Sequence, residues 1–292
     1  MARLADVRDA VLDRAALAPG ETLLDVGCGE GLIGFGALDR DASVVFSDVS
    51  QDLLESCSEA AESLGVRDRC RFVRASADDL SSVESESTDV VTTRSVLIYV
   101  KDKERAFVEF FRVLRPGGRI SLYEPINRFA CVHASDRFGG YDVAPVTEIA
   151  GKLRALFEGL QPDSDPMLDF DERDLVAACE GVGFFPIDLQ LHAEIRPLEP
   201  RRWDTFVHTA GNPKIPTLAE AMNQALDDDE RERLTAHLRP LVEAGQGTWR
   251  MAHTLLRADK PRATTTTPPA GSVRAMPGRR TSRQTRKVTR SS

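Results

Sequence analysis

One stretch decides the fold: Leu24-Asp25-Val26-Gly27-Cys28-Gly29-Glu30-Gly31. It completes the apolar segment 22–26, which predicts a short buried strand that ends in a glycine-rich turn. Glycine lets the backbone approach a ligand closely, because no Cβ stands in the way. The stretch therefore predicts a ligand-binding turn at the end of the first strand.

This turn fits two glycine patterns. Starting at Gly29, the residues match Gly-x-Gly-x-x-Gly with Asp48 about 20 residues further on, which is the dinucleotide-binding fingerprint. The predicted strand ends at Val26, however, so the turn begins at Gly27 and the fingerprint starts too late. In the second pattern Asp25 ends the strand, where its carboxylate would repel a pyrophosphate and attract an ammonium group. We favour the second pattern and keep an NAD(P)-binding oxidoreductase as an alternative.

Strand-like and helix-like stretches alternate along the first part of the chain, as in a parallel sheet covered by helices. The predicted strands are residues 22–26, 43–47, 70–75, 89–93, 119–124, 185–195 and 248–257. The predicted helices include 7–17, 32–38, one capped by Ser50, one stopped by Pro116-Gly117-Gly118, 146–160, 171–182, 218–226 and 229–242. We therefore predict an α/β fold: a Rossmann-like, seven-stranded, mostly parallel sheet with helices on both faces and helical lid insertions.

The alternation is interrupted twice, which predicts a core with two insertions and a tail. The predicted segments are a cofactor-binding core (1–125), a first lid insertion (126–170), a core helix and strand (171–196), a second, helical lid insertion (197–247), a final core strand (248–260) and a tail (261–292). Open α/β sheets bind ligands at the carboxyl ends of their strands. Because both insertions leave strand ends on that side, we expect them to cover the ligand.

The predicted tail differs in charge from the rest of the chain. It carries eight basic side chains and no acid, which leaves 30 basic against 46 acidic residues, a net charge of −16, in the body. An acidic body repels phosphate backbones, so no nucleic-acid partner is expected. The tail has almost no apolar residues with which to form a core and is predicted to be disordered.

Neither a membrane span nor a disulfide framework is expected. No apolar run approaches the roughly 18 residues that a membrane span requires. The five cysteines are scattered and odd in number, without Cys-x-x-Cys spacing. A reduced, cytoplasmic setting is the simplest interpretation, and the oligomeric state stays open.

The segments around the glycine turn resemble class I S-adenosylmethionine-dependent methyltransferases, whose first motif has the form acidic-x-Gly-x-Gly. The resemblance covers residues 15–125 and, less closely, 171–195. It implies that the glycine turn packs against the methionine portion of the cofactor, that Asp48 binds the ribose hydroxyls and that Asp78 lies near the adenine amine. The cofactor-binding residues implied are Asp25, Gly27, Cys28, Gly29, Asp48, Val49, Ala77, Asp78 and Arg94.

The same resemblance implies in-line transfer of a methyl group to an acceptor. The Asn/Asp-Pro-Pro-aromatic signature of base-amine methyltransferases is absent from residues 93–99, and 95–102 is similar to the ubiquinone/menaquinone and natural-product branch. We therefore predict a small-molecule acceptor. Alternatives are a protein or RNA methyltransferase recruited by the tail, a non-catalytic binding protein, and an arsenite methyltransferase using Cys131 and Cys179. We see no acid cluster typical of a catechol-type magnesium site and predict no metal.

The catalytic candidates are Tyr99 and Tyr141, whose hydroxyls would orient or deprotonate a hydroxyl acceptor. Other candidates for the acceptor pocket follow from their positions after strands or on the insertions. These are Tyr123, Glu124, His133, Phe138, Trp203, Phe206 and His208.

Overall fold

The computed structural model describes residues 4–131, 135–212 and 214–262. The strands are β1 (Thr22–Val26), β2 (Ser43–Asp48), β3 (Cys70–Arg74), β4 (Thr88–Arg94), β5 (Leu114–Pro125), β6 (Arg137–Phe138), β7 (Tyr141–Asp142), β8 (Ile187–Pro197) and β9 (Thr248–Asp259). The α-helices are α1 (Leu4–Arg14), α2 (Leu32–Leu38), α3 (Gln51–Ser63), α4 (Lys103–Val113), α5 (Thr147–Leu160), α6 (Glu172–Val182), α7 (Trp203–Val207), α8 (Leu218–Ala225) and α9 (Asp228–Glu243).

The main sheet has seven strands in the order β3-β2-β1-β4-β5-β9-β8. Strand β9 is antiparallel to β5 and β8, and the pairings among β1 to β5 are all parallel. The predicted α/β fold with a seven-stranded, mostly parallel sheet is therefore confirmed. Its order departs from the 3-2-1-4-5-6 order of dinucleotide-binding sheets, because the last strand enters between the fifth and the sixth.

Strand β1 lies at the point where the strand order reverses, between β2 and β4. At such a point the connections from neighbouring strands leave on opposite faces and open a crevice at the carboxyl ends. The glycine turn directly follows β1 and therefore lies at this crevice. The topology thus puts the predicted ligand-binding turn at this crevice.

Helices cover both faces of the sheet, as predicted. One apolar core joins the sheet to α4 and α6, and a second joins the other face to α1, α2 and α3. Along β1, Leu23 belongs to the second core and Leu24 to the first, because successive side chains of a strand point to opposite faces. The central strand is buried on both faces, which explains its continuous apolar sequence.

The helix α4 ends earlier than predicted. It stops at Val113, and the extended residue Leu114 begins β5, so Pro116-Gly117-Gly118 is a bulge inside that strand and not the helix stop. A residue before proline avoids the helical region, which ends the helix before the proline is reached. Gly117 adopts φ +88° and its N–H donates to the carbonyl of Lys260 at 2.9 Å. The bulge therefore joins β5 to the end of β9.

The two insertions share one apolar core, separate from the two cores at the sheet. We call it the insertion core. Its buried members come from both insertions and include Tyr141, Val143, Ile149, Leu153, Leu218, Met222, Leu234 and Leu238. Helix α5 contacts both α8 and α9 across it. Insertions separated in sequence by α6 and β8 thus fold as one unit.

A hairpin in the first insertion was not predicted. Strands β6 and β7 are joined by Gly139 and Gly140, which adopt φ +58° and +89°. Two consecutive residues with positive φ are the requirement of a type I′ hairpin turn, which glycine meets without strain. The Gly-Gly pair between Phe138 and Tyr141 was the available signal.

The described part of the chain ends at Arg262, beyond the predicted final core strand. Lys260 is buried and its ammonium group donates to the carbonyls of Phe111 and Leu114 at 2.9 and 2.7 Å. Residues 263–292, which hold most of the predicted tail, lie outside the described residues. Among the described helices, none is both long and apolar enough to cross a membrane.

Candidate cofactor and acceptor site

The glycine turn after β1 presents bare backbone to the crevice. Gly27 and Gly29 adopt φ +64° and +55°, values that side chains rarely tolerate. A Cβ at Gly27 would lie 2.5 Å from Cγ2 of Val96, so this glycine allows the loop after β4 to pack against the turn. A Cβ at Gly29 would meet nothing within 4 Å. The backbone at Gly29 therefore faces open space, as a ligand cradle requires.

Asp48, at the tip of β2, holds the turn from the side. Its Oδ2 accepts the backbone N–H of Gly29 at 2.9 Å, and its Oδ1 accepts the N–H of Ser50 at 2.9 Å. A carboxylate offers about four acceptor positions, so both oxygens keep a free lone pair. The next residue, Val49, leaves 61% of its surface exposed. An exposed apolar side chain beside a carboxylate fits a ligand that has hydroxyls next to a flat ring.

Ala77 and Asp78 follow β3 and lie next to the tip of β2. The N–H of Ala75 donates to the carbonyl of Asp48 at 3.1 Å, which keeps the two segments together. Ala77 is buried, and the half-buried Asp78 accepts the Ser76 hydroxyl at 2.6 Å on Oδ1. The structure thus brings together Gly29, Asp48 and the segment that contains Asp78.

Asp25 is buried at the end of β1. It is only 2% exposed, and its Oδ2 accepts the N–H of Gly34 at 3.0 Å while Oδ1 accepts the Thr92 hydroxyl at 3.1 Å. Burial raises the pKa of Asp25 to about 7. The carboxylate therefore ties α2 and β4 to the end of β1 instead of facing the open turn. The carboxylate is thus buried beneath the turn, and its predicted contact with an ammonium group stays a prediction.

Cys28 lies inside the turn with Cys57 from α3. Both thiols contact the carbonyl oxygen of Gly29, at 3.7 and 3.3 Å. The hydrogen bond with Cys57, together with burial, raises the pKa of Cys28. A thiol kept protonated is a poor nucleophile, so Cys28 fills space in the turn.

Arg94 ends β4 beside Tyr123 of β5, its partner in the sheet register. Burial raises the pKa of Asp25, and the positive charge of Arg94 lowers it by a smaller amount. The guanidinium of Arg94 therefore lies near the Asp25 carboxyl. The Tyr123 ring stacks at 4.7 Å on His253, and His253 in turn lies 5.0 Å from His192. Arg94 and Tyr123 therefore stand at the edge of the crevice, on the same face as Asp25.

Glu124 is not a pocket residue but an anchor beneath the loop after β4. It is fully buried, and its Oε1 accepts the Thr93 hydroxyl at 2.6 Å and the Val96 N–H at 3.1 Å, while Oε2 accepts the Leu97 N–H at 3.0 Å. Burial raises the pKa of Glu124 to about 7. Because Val96 packs on Gly27, Glu124 fixes the position of the glycine turn through this loop.

The two catalytic candidates do not lie together. Tyr99 is 56% exposed in a single 3-10 turn, whereas Tyr141 is buried in the insertion core. Nδ1 of the exposed His208 ring donates to the carbonyl of Asp204 on α7 at 2.9 Å. Trp203 packs on Phe206, and His133 lies outside the described residues. A joint role for Tyr99 and Tyr141 is therefore not supported.

A cavity of about 610 Å³ lies between the insertions and the ends of β8 and β9. Its apolar wall includes three of the predicted pocket residues, Phe138, Tyr141 and Phe206. Trp249 and Arg250, at the start of β9, also line it and were not predicted. The alternation of apolar and polar residues along a strand does not indicate which of them an insertion distant in sequence will cover, so these two residues could not be predicted.

Cys131 and Cys179 do not converge. Cys131 is exposed at the cavity, whereas Cys179 is buried in the core under α6, where burial raises its pKa to about 12. An arsenite site built from these two thiols is therefore not formed. Within the described residues, no group of three or more His, Cys, Asp or Glu side chains is arranged to hold a metal ion.

Comparison with known proteins agrees with this geometry. Residues 24–122 match the family model described as a methyltransferase domain. The chain is 33% identical over 100 residues to tRNA 5-carboxymethoxyuridine methyltransferase of Escherichia coli (34% of this chain, 38% of that protein). It is 28% identical over 172 residues to the ubiquinone/menaquinone biosynthesis C-methyltransferase UbiE of Cronobacter sakazakii (53% and 66%). The matches thus span less than two thirds of either relative.

A solved structure supports the fold over most of the chain. The geranyl diphosphate methyltransferase, solved with S-adenosylmethionine, superposes with a TM-score of 0.52 at 19% identity, covering 88% of this chain and 85% of that one. Residues 24–122 thus form a methyltransferase domain, and the seven-stranded sheet to which they contribute has the fold of that solved structure.

Proposed function

We propose that this protein transfers a methyl group from S-adenosylmethionine to a small-molecule acceptor. The observation that carries the proposal is the arrangement of Asp48 and Val49 beside the open backbone of Gly29. In this proposal Asp48 binds the ribose hydroxyls, Val49 packs on the adenine ring and Asp78 lies at its amine. Gly27 and Gly29 leave room for the methionine portion.

S-Adenosylmethionine, when bound, supplies an electrophilic methyl group, and the electrons of the broken carbon–sulfur bond stay on sulfur. The protein then has to align the acceptor atom and keep water away. Positioning of this kind contributes roughly 7–11 kcal/mol to catalysis. We assign the alignment to the loop after β4, which Glu124 anchors, and the exclusion of water to the two insertions.

Titration calorimetry with S-adenosylhomocysteine tests the cofactor site. Asp48→Asn removes an anionic acceptor at the turn, and we expect at least a tenfold loss of affinity. Asp52→Asn, a change of an exposed acid four residues away on α3, serves as the control and should bind as the wild type does. A wild-type protein that binds NAD but not S-adenosylhomocysteine would refute the proposal in favour of an oxidoreductase.

An RNA acceptor is the second candidate, because one relative is a tRNA methyltransferase by name. Against it, the body without the tail carries a net charge of −16, which repels a phosphate backbone. A chain truncated after Arg262 distinguishes the two. Undiminished methylation of small acceptors supports our proposal, whereas loss of activity together with loss of RNA binding supports the alternative.

A cytoplasmic setting belongs to the same proposal. All five cysteines are free thiols, and four of them are buried. Free thiols persist in a reducing compartment. Fractionation of cells that express the protein, with thiol labelling of Cys131, tests this assignment.

A further inference from the structure

We propose that the cavity between the insertions and β9 is the acceptor site and that its acceptor is an organic anion with an aromatic or other apolar body. The role of the ligand as methyl acceptor rests on the proposed function, whereas the binding of an organic anion is argued from the residues of the cavity alone.

The first observation is a set of buried donors that have no acceptor. Among the described residues, six buried side-chain polar atoms have no hydrogen-bond partner, and three of them belong to residues lining this one cavity. The three are the Tyr141 hydroxyl, Nε1 of Trp249 and Nε of Arg250. An indole and a guanidinium only donate hydrogen bonds. Unsatisfied buried polar groups are rare and costly, which singles out the residues around this cavity, although Trp249 and Arg250 are successive residues of β9 and their side chains leave opposite faces of the strand.

The second observation is positive charge in an otherwise acidic body. Four arginines line the cavity, and none of them has an ion-pair partner among the described residues. They are Arg137, Arg154, Arg201 and Arg250. Two acids, Glu158 and Asp163, also line it, and both are exposed. The positive groups therefore outnumber the negative ones, and an anion in the cavity would be attracted.

Arg250 is the arginine best placed to hold the anion. It is half-buried, and its guanidinium lies 5.4 Å from the centre of the Phe129 ring, which orients it. Arg154, by contrast, already donates to the carbonyls of Ser135 and Arg137 at 3.2 and 2.9 Å. A planar guanidinium pairs with carboxylate or phosphate through two parallel hydrogen bonds.

The rest of the cavity wall is apolar, which favours a ligand whose body is apolar or aromatic. Its aromatic members are Phe138, Phe157 and Phe206, with Leu168, Leu198 and Ile215. A volume of about 610 Å³ lies within the range of small-molecule sites. The cavity is lined by the start of β9, which pairs with the carboxyl end of β5, so it lies at the same edge of the sheet as the glycine turn. Its assignment as an acceptor site rests on this shared edge.

A matched pair of fluorescent probes tests the assignment. 8-Anilinonaphthalene-1-sulfonate and N-phenyl-1-naphthylamine have the same aromatic body, and only the first carries an anionic group. We expect the wild type to bind the sulfonate at least tenfold more tightly. Arg250→Gln should remove that difference and leave the affinity for the neutral probe unchanged.

Arg196→Gln is the matched control, since Arg196 contacts the Trp249 ring at 5.6 Å but pairs with Glu194 and Glu199 outside the cavity. Its binding of both probes should equal that of the wild type. Equal affinity of the two probes for the wild type, or an Arg250→Gln variant that binds the sulfonate normally, would overturn the proposal.

Two further arms complete the design. Displacement of the sulfonate by 2-naphthoate or by 2-naphthyl phosphate supports the anion site, and the stronger competitor identifies the head group; displacement by neither contradicts it. Calorimetry with S-adenosylhomocysteine on Arg250→Gln should match the wild type. A wild type that fails to bind S-adenosylhomocysteine refutes the proposed function alone, whereas a wild type that binds the two probes equally refutes only the cavity assignment.

Discussion

The carboxylate of Glu124 accepts the hydroxyl of Thr93 at 2.6 Å, with both residues fully buried at the tips of adjacent strands. The same carboxylate accepts two backbone N–H groups of the loop that packs on the glycine turn. A titratable group thus lies beneath the loop that packs on the glycine turn, and its ionisation is coupled to the stability of the fold.

We predict that this coupling is visible as a pH dependence. The pKa of Glu124 is raised from 4.5 to about 7 by burial, so the folded protein holds this proton more tightly than the unfolded chain does. The stabilisation is therefore fully present below pH 4.5 and is lost as the pH rises through 7. Urea unfolding of the wild type and of Glu124→Gln measures this effect. Between pH 4.5 and pH 8, the free energy of unfolding of the wild type should fall by about 3 kcal/mol relative to that of Glu124→Gln.

Glu109 provides a control of opposite sign. Its side chain is buried on α4, and the hydrogen bond from Arg112 lowers its pKa. Glu109 therefore stabilises the fold above the pKa that it has in the unfolded chain, and this stabilisation is lost as the pH falls. The free energy of unfolding of the wild type should rise relative to that of Glu109→Gln as the pH rises. The same slope for both variants would show that the pH effect does not come from these carboxyls.

Tyr141→Phe should stabilise the free protein while it weakens acceptor binding. The Tyr141 hydroxyl is buried without a partner, and burying such a group costs about 1–3 kcal/mol in proteins. We expect a higher free energy of unfolding in urea and a higher KM, with unchanged S-adenosylhomocysteine binding. Tyr99→Phe, at an exposed site, should change none of these quantities. A Tyr141→Phe variant that is less stable would mean that the hydroxyl has a partner.

Leu234→Ala should loosen the insertions without affecting the cofactor site. Leu234 is fully buried in the insertion core, where a Leu→Ala change costs about 2–5 kcal/mol. Hydrogen exchange should become faster throughout α5, α8 and α9, while S-adenosylhomocysteine still binds. The exposed Leu160→Ala on α5 is the control. Unchanged exchange in α5 would show that the two insertions do not share a core.

Arg119→Met should destabilise the whole fold. Arg119 is buried and binds both oxygens of Glu21 at 2.8 and 2.6 Å, and it also donates to the carbonyls of Ala15 and Ala16. Removing one partner of such a pair costs about 3 kcal/mol, measured by urea unfolding. Arg115→Met breaks the more exposed pair with Asp89 and should cost at most about 1 kcal/mol. Equal losses would contradict the difference in burial.

The sequence predicted the sheet well because its signals are local. Strand β1, the helix α2, the cap Ser50 and the stop at Gly183 all depend on neighbouring residues, and the structure confirms each of them. The burial of the Asp25 carboxylate was not predictable for a different reason. Its hydroxyl partner, Thr92, lies on β4, and only the sheet order brings the two side chains together.

The acceptor cavity was the least predictable part. Its aromatic residues on the insertions were candidates, but Trp249 and Arg250 were not, because their exposure depends on how both insertions cover the start of β9. Which unpaired donors lie around one cavity is a property of tertiary packing and has no periodicity in the chain.

The common core of the two insertions constrains how this protein acquires new substrates. A cavity whose walls come from 126–170 and from 197–247 cannot be reshaped by grafting either stretch from another protein, because the incoming helix would meet side chains selected for a different neighbour. Evolution, or an engineer, has to exchange both stretches together, while the catalytic half of the molecule can remain as it is.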